Sequence, residues 1–115
     1  MIKTFGGRFA LLAILAIPLC ARASTCEVGD AVVTFVTQWE DGHIFIQINK
    51  PILCGCSIDV RAAFHNTDPN QKFFVNAALM ALATGKKVSL RADNINNICP
   101  IHGNTAKLLS LTIAN

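Results

Sequence analysis

The sequence contains no tyrosine and a single tryptophan, Trp39. Tyrosine and tryptophan combine an aromatic face with a polar group, so a stacking surface of that kind rests on Trp39 alone. The sequence also lacks a nucleophile motif, and no pair of acids has a spacing that indicates a shared pocket. We therefore expect a protein that is not an enzyme and that uses no cofactor.

The longest apolar run lies within the first 23 residues. The first eight residues contain the basic Lys3 and Arg8, residues 9–19 are apolar, and Ala21-Arg22-Ala23 forms an A-x-A cleavage site. This layout is typical of a secretory signal peptide, and its apolar core is too short to span a membrane. We expect cleavage after Ala23, which leaves residues 24–115 as one domain of 115 − 23 = 92 residues, periplasmic or secreted.

Neither sign of charge predominates in the predicted mature chain. The leader holds three of the ten basic residues (Lys3, Arg8 and Arg22) and none of the seven acids, so the balance of residues 24–115 is 7 − 7 = 0. A chain without excess positive charge lacks the main electrostatic contribution to nucleic-acid binding, which comes from neutralising the phosphates. No polybasic patch remains for a membrane surface, and we predict no membrane span.

Four cysteines remain after the leader is removed: Cys26, Cys54, Cys56 and Cys99. An even count in a small exported domain predicts two disulfides. Cys54 and Cys56 are too close in an extended chain to pair with each other. Their partners are then Cys26 and Cys99, in either order, and we favour Cys26 with Cys54 and Cys56 with Cys99.

A metal site is the competing interpretation of the cysteines. Cys54-Gly55-Cys56 and Cys99 with His102 have ligand chemistry that suits zinc. An oxidising compartment favours disulfides over such a site. We therefore predict no metal at these residues.

Asp68-Pro69 predicts the start of a helix, with Asp68 as its capping acceptor and Pro69 in its first turn, and Gly85 can close this helix in the left-handed conformation. One apolar stripe at helical spacing comprises Phe74, Ala77, Ala78, Ala81 and Leu82. A second apolar set lies off this stripe and comprises Phe73, Val75, Leu79, Met80 and Ala83. A helix that is apolar on all sides needs partners on all sides, and this one is roughly half the ~20 residues of a membrane span. We predict that the second set is an oligomer interface.

The rest of the chain alternates as strands do. Residues 31–37 are rich in β-branched side chains, and Asp41-Gly42 predicts a hairpin to residues 43–49. In that strand the isoleucines Ile44, Ile46 and Ile48 lie on one face, and the opposite face carries His43, Phe45, Gln47 and Asn49. Residues 57–65, 88–92 and 107–113 complete five predicted strands, and Leu109, Leu111 and Ile113 should share one face of the last.

Five short strands with a helix between the third and the fourth, in the order β-β-β-α-β-β, predict a β-barrel of the OB-fold type. Closure into a barrel also removes exposed edges from strands this apolar. In that topology the four cysteines all fall at one end of the barrel, so the cysteine count and the topology agree.

The run AALMALATGKKVSL at residues 77–90, placed between two cysteine-bearing segments, resembles the B subunits of bacterial toxins with one A and five B chains. The resemblance is to the subtilase-cytotoxin and pertussis-like branch, or to small secreted bacterial relatives of the same plan. It implies an OB-fold, a homo-oligomeric ring of five with the helices around the axis, a glycan ligand, and an A-type partner subunit.

Candidate ligand-binding residues come from loops and turns. Trp39 lies at a predicted hairpin tip, Glu27 and Asp30 precede the first predicted strand, and Asn96 and Asn97 follow the fourth. An exposed tryptophan beside acids can stack on a ligand, and acids and asparagines can hydrogen-bond to hydroxyls. Solvated loop residues are the alternative interpretation for all of them.

The three histidines lie far apart in sequence. The hairpin and the following strand should place His43 and His65 at the same end of the sheet. A metal site of these two histidines is an alternative to surface histidines beside a turn, and we favour the latter.

Two functions are consistent with these features. The first is a secreted, non-catalytic, ring-forming binding subunit that binds host glycans. The second is a small periplasmic structural or inhibitory protein that binds another protein through the apolar helix face. A metal or redox protein is a third class, to which little in the sequence points.

Overall fold

The computed structural model describes residues 25–114. Within them lie one helix and six strands, and all six strands belong to one sheet. In chain order they are β1 Thr25–Ala31, β2 Val33–Gln38, β3 His43–Ile48, β4 Arg61–His65, α1 Gln71–Thr84, β5 Lys87–Asp93 and β6 Ala106–Ala114. The prediction of a sheet-rich domain with one helix is confirmed. The predicted leader and its cleavage site lie outside the described residues.

The sixth strand arises because the chain is already extended before residue 31. β1 pairs with β5 from Thr25 opposite Asp93 to Val28 opposite Leu90, and only Val32 separates it from β2. A bulge follows Val28, and Asp30 adopts a φ of 54° there. Glu27 and Asp30 therefore lie within a strand, and the prediction that they precede the first strand is wrong.

The strand order of the sheet is β1-β5-β6-β4-β3-β2. The pairing of β4 with β6 is parallel, and the other pairings are antiparallel. The two edges of the sheet are β1 and β2, which are neighbours in the chain. One continuous segment thus supplies both edges.

The helix α1 begins later than the sequence predicts. Asp68 Oδ1 accepts a hydrogen bond from the backbone N–H of Asn70 at 2.8 Å, so Asp68 forms a turn before the helix and does not cap it. At the other end Gly85 adopts a φ of 73° and donates its N–H to the carbonyl oxygen of Ala81, as predicted.

α1 covers the main core of the domain with a narrow stripe of small residues. Ala77, Ala78 and Ala81 are buried, and the Phe74 ring meets Phe64 of β4 edge to face at 5.1 Å. Leu82 was expected in this stripe but is 41% exposed. The alanines let the helix approach the sheet closely, and this leaves Leu82 at the margin of the contact.

β3 is buried on both faces. Ile44, Ile46 and Ile48 face the main core, as predicted. Phe45 lies on the opposite face, yet it is fully buried with Ala63 and Ile101 in a second cluster. Phe45 is buried because the chain between β5 and β6, which carries Ile101, folds over this side of the sheet.

A bulge in β6 changes which leucines face the core. Arg91 pairs with Ser110 and Ala92 with Leu108, so Leu109 has no partner in the ladder. Leu108 and Leu111 are buried as a result, whereas Leu109 is only partly buried. The prediction of a common face for Leu109 and Leu111 is therefore wrong.

Two disulfides connect the segment between β3 and β4 to β1 and to the segment between β5 and β6. Cys26 pairs with Cys54 and Cys56 with Cys99, with Cα–Cα distances of 5.5 and 5.7 Å. This is the favoured pairing, and it leaves none of the four thiols for a metal. Within residues 25–114, no helix has both the length and the apolar character needed to cross a membrane.

Candidate functional site

The five predicted ligand-binding residues do not form one site. Glu27 and Asp30 lie on β1, Trp39 lies at the β2–β3 turn, and Asn96 and Asn97 lie between β5 and β6. No hydrogen bond, ion pair or ring contact among the described residues joins Trp39 to any of the other four. The structure instead offers three separate surfaces.

The first surface is a polar groove over β1, β5 and β6, with a cavity of about 350 Å³. Its polar side chains are Glu27, Ser89, Arg91, Ser110 and Thr112. Ser89 and Arg91 alternate with the buried Val88 and Leu90 along β5. Because side chains alternate between the two faces of a strand, the sequence could have predicted that Ser89 and Arg91 face away from the core. Of the predicted residues, only Glu27 lines this groove.

The second surface is the exposed side of α1. Phe73, Leu79 and Met80 are 59%, 48% and 55% exposed, and Ala83 is exposed as well. Val75, the fifth residue of the predicted interface, is partly buried and packs against the main core. Phe73 and Met80 also border an apolar groove of about 480 Å³ between α1 and β6, whose other wall includes Leu111 and Ile113.

The third surface is a polar cluster at the β2–β3 turn. Gly42 donates its N–H to the carbonyl oxygen of Trp39 at 3.0 Å, and Trp39 donates to that of His43 at 2.8 Å. Gly42 has a φ of 93°, which lets the chain return within the four residues between β2 and β3. The prediction of a hairpin from Asp41-Gly42 is confirmed.

Asp41 is the centre of this cluster. Its Oδ2 atom lies 3.0 Å from His43 Nδ1 and 2.8 Å from His102 Nε2, and its Oδ1 atom accepts the backbone N–H of His43 at 2.9 Å. That backbone hydrogen bond, followed by those from the two imidazoles, holds the pKa of the Asp41 carboxyl far below its ordinary value. Asp41 is therefore a fixed negative charge between two imidazoles.

His65 supports the turn from β4. It lies opposite His43 in the β3–β4 ladder, as predicted, and the two rings meet edge to face at 5.0 Å. Its Nε2 donates to the carbonyl oxygen of Asp41 at 3.0 Å, and its Nδ1 accepts the backbone N–H of Thr67 at 3.2 Å. These two bonds fit the neutral imidazole with the proton on Nε2. Both nitrogens of His65 are thus occupied in structural hydrogen bonds.

Aromatic rings form one side of the cluster. Trp39 contacts the rings of Phe45 and His102, with centroid distances of 5.2 and 5.1 Å. Arg61 lies over the ring of Phe45, 4.3 Å from its centroid, and donates to Thr105 Oγ1 at 3.0 Å. Trp39 therefore packs on the domain with one face, while 47% of the residue stays exposed.

The sequence did not indicate His102 as a member of this cluster. His102 lies in the chain between β5 and β6, 61 positions from Asp41. It has a φ of 56°, and the same chain segment is joined to the rest of the domain by Cys99. Its position depends on the disulfide and on the packing of Ile101, which no local pattern reveals.

Asn96 and Asn97 have turn conformations, with φ of 55° and 62°. Asn97 Oδ1 accepts a hydrogen bond from Asn94 Nδ2 at 3.2 Å, and the same Asn94 amide donates to the carbonyl oxygen of Cys54. Asn94 is buried, so this asparagine cluster joins two loops near the disulfides.

Comparison of the chain with protein-family models, curated proteins and solved structures finds no match. The resemblance to toxin B subunits stays a prediction from the sequence pattern alone.

Proposed function

We propose that this protein is a secreted, non-catalytic binding subunit that assembles into a homo-oligomeric ring through the exposed face of α1. One observation carries the proposal: the helix presents Phe73, Leu79 and Met80 to solvent while its opposite side is buried on the sheet. Exposed apolar patches of this kind on small domains mark interaction sites. In a cyclic assembly every copy can bury this face against its neighbour.

The groove between α1 and β6 gives such a contact a defined shape. Leu111 and Ile113 line it from the strand, while Phe73 and Met80 line it from the helix. An apolar side chain from a neighbouring copy that enters this groove loses contact with water on several sides at once. Leu79, exposed on the same helix, is the residue we expect to enter it.

The proposed architecture is an OB-type barrel. Two features support it: the parallel pairing of β4 with β6, and the supply of both sheet edges by one segment that is interrupted only at Val32. In this interpretation β1 and β2 are two halves of one bent strand. The first strand of a five-stranded OB-fold then corresponds to β1 and β2 together, which is why the sheet has six strands. The number of five copies follows from the resemblance alone.

The proposed ligand is a glycan, bound in the polar groove. Glu27 supplies acceptors, Arg91 supplies donors, and three hydroxyl groups complete the lining. These hydrogen-bond donors and acceptors complement the hydroxyl groups of a polyhydroxylated molecule, each of which can both donate and accept. Thr112 lines both this groove and the apolar one, so the glycan would bind beside the subunit boundary. A ring would present several such grooves and bind multivalent glycans with avidity.

The A-type partner subunit implied by the resemblance belongs to the same proposal. An enzyme-like chain encoded next to this one would support it. The alternative function, a periplasmic structural or inhibitory protein, uses the same helix face for a different partner. A protein that is a monomer in solution would favour that alternative.

The substitution Leu79→Asp tests the proposed interface. It puts a charge into the contact between copies but leaves the core side of α1 unchanged, so we expect folded monomers with unaltered far-UV circular dichroism. Leu53→Asp is the matched control, because Leu53 is 80% exposed in a loop and carries the same chemical change. Analytical ultracentrifugation of both variants measures the result.

An assembly that survives Leu79→Asp and dissociates with Leu53→Asp would place the interface away from the helix.

Binding to a glycan array tests the proposed ligand: Arg91→Ala should weaken glycan binding while the assembly stays intact. If the wild-type ring binds no glycan on such an array, the ligand part of the proposal is wrong although the ring stands.

A further inference from the structure

The cluster at the β2–β3 turn brings together three side chains that are typical ligands of transition metals. Asp41, His43 and His102 each offer one ligand atom, and these atoms all lie within 4.8 Å of one another. They are the atoms that already meet around Asp41 Oδ2, at 3.0 Å for His43 Nδ1 and 2.8 Å for His102 Nε2. Two imidazoles and one carboxylate match the ligand sets of zinc sites with an open position.

The two distances from Asp41 Oδ2 are close to those of a filled site. Ligand atoms about 2.0–2.1 Å from a tetrahedral Zn²⁺ ion are about 3.3 Å from one another. The two contacts of Asp41 Oδ2 would have to lengthen by a few tenths of an ångström. The two imidazole nitrogens, which lie within 4.8 Å of one another, would have to approach to about the same spacing. The carboxylate then exchanges two hydrogen bonds for one bond to the metal.

The surroundings hold these three side chains in place. The backbone N–H of His43 fixes Asp41 Oδ1, so Oδ2 remains the atom directed at both imidazoles. His65 donates to the carbonyl oxygen of Asp41 and packs against the His43 ring, and Trp39 packs against the ring of His102. Partners of this kind orient the ligands of metal sites.

We propose that Asp41, His43 and His102 bind one divalent transition-metal ion, Zn²⁺ by preference, with the fourth position open to solvent. Imidazole nitrogens favour zinc, copper and nickel over magnesium and calcium, which take oxygen ligands. All three side chains are partly exposed, so an ion can enter from solvent. The ion would join the β2–β3 turn to the chain between β5 and β6.

Calorimetric titration of the untagged protein with Zn²⁺ tests the site. We expect one ion per chain with a dissociation constant in the micromolar range or below, and no comparable heat with Mg²⁺. Bound Zn²⁺ should also raise the Tm, because it binds the folded state alone. Cu²⁺ should quench the fluorescence of the single tryptophan, whose ring centroid lies 5.1 Å from that of His102.

The variants His102→Gln and Asp41→Asn should each weaken Zn²⁺ binding by more than about tenfold. Glu40→Gln is the matched control, because Glu40 is an acid in the same turn that contributes no ligand atom to the cluster. His102→Gln leaves the turn itself unchanged, so a folding defect of Asp41→Asn would not obscure the result. Absence of Zn²⁺ binding by the wild type, or binding that His102→Gln does not change, would overturn the proposal.

Discussion

Gly42 joins β2 to β3 in a space that has no room for a side chain. Its φ is 93°, and a Cβ atom there would lie 2.7 Å from His65 Nε2. Gly85 at the end of α1 has a φ of 73° but nothing within 4 Å of such an atom. Alanine substitutions at the two glycines therefore distinguish the cost of a left-handed backbone from the cost of a steric clash.

We predict that Gly42→Ala lowers the free energy of unfolding by roughly 2–4 kcal/mol, since it combines left-handed strain with displacement of His65. Gly85→Ala, which has the strain alone, should cost about 1–2 kcal/mol. Urea denaturation of both variants measures the difference. Equal losses would show that His65 moves aside without cost.

Single residues also show where prediction from the sequence reaches its limit. The alternation of β3 correctly placed Ile44, Ile46 and Ile48 in the core, because a strand has period two. The same alternation put Phe45 on the opposite face, but it did not reveal that Ile101 covers Phe45 there. His102 joins the turn cluster for the same reason: a distant segment folds over the sheet. Contacts of this type have no local pattern.

At the scale of elements, the helix was the most predictable part of the fold. Its apolar spacing identified the buried residues from Phe74 to Ala81, and Gly85 marked its end. Its start was misplaced because Asp68-Pro69 is also a good turn sequence, and the structure uses it as one.

The strands at the margins of the sheet were less predictable. β1 has no β-branched run and owes its extended conformation to hydrogen bonds with β5. In β6 a bulge at Leu109 exchanges the two faces partway along the strand. Both features arise from pairing with β5, so they depend on the register of the sheet and not on the composition of either strand.

The disulfides connect elements that the sheet alone leaves loosely joined. Cys56–Cys99 ties the segment after β3 to the one after β5 across 43 positions, and Cys26–Cys54 ties β1 to the segment after β3 across 28. We predict that the double variant Cys56→Ser with Cys99→Ser loses about 2–5 kcal/mol of stability. Chemical denaturation measures this loss.

The Cys56–Cys99 bridge also holds the segment that carries His102. The double variant should therefore lose Zn²⁺ affinity along with stability. Unchanged stability in the variant would mean that the loops are held by their other contacts, such as the Asn94 hydrogen bond to Cys54.

At the scale of the whole molecule, a small domain buries its core between one helix and one sheet and still leaves large apolar side chains outside. Burial of Phe73, Leu79 and Met80 in a contact with another copy would add to the stability of each domain. The apolar character of both helix faces was predictable from the sequence, whereas the polar groove was not. The groove forms only when β1, β5 and β6 pair in register, and the first predicted strand begins at residue 31, after the residues of β1 that line the groove.

Native mass spectrometry of the wild-type protein at micromolar concentration measures the assembly directly. The proposed ring predicts one closed species at a fixed multiple of the chain mass, five by resemblance, that Leu79→Asp converts to single chains. The species should persist on dilution through the micromolar range. A wild-type protein that has the mass of a single chain throughout this range would contradict the ring, and the helix face would then have to bind a different protein.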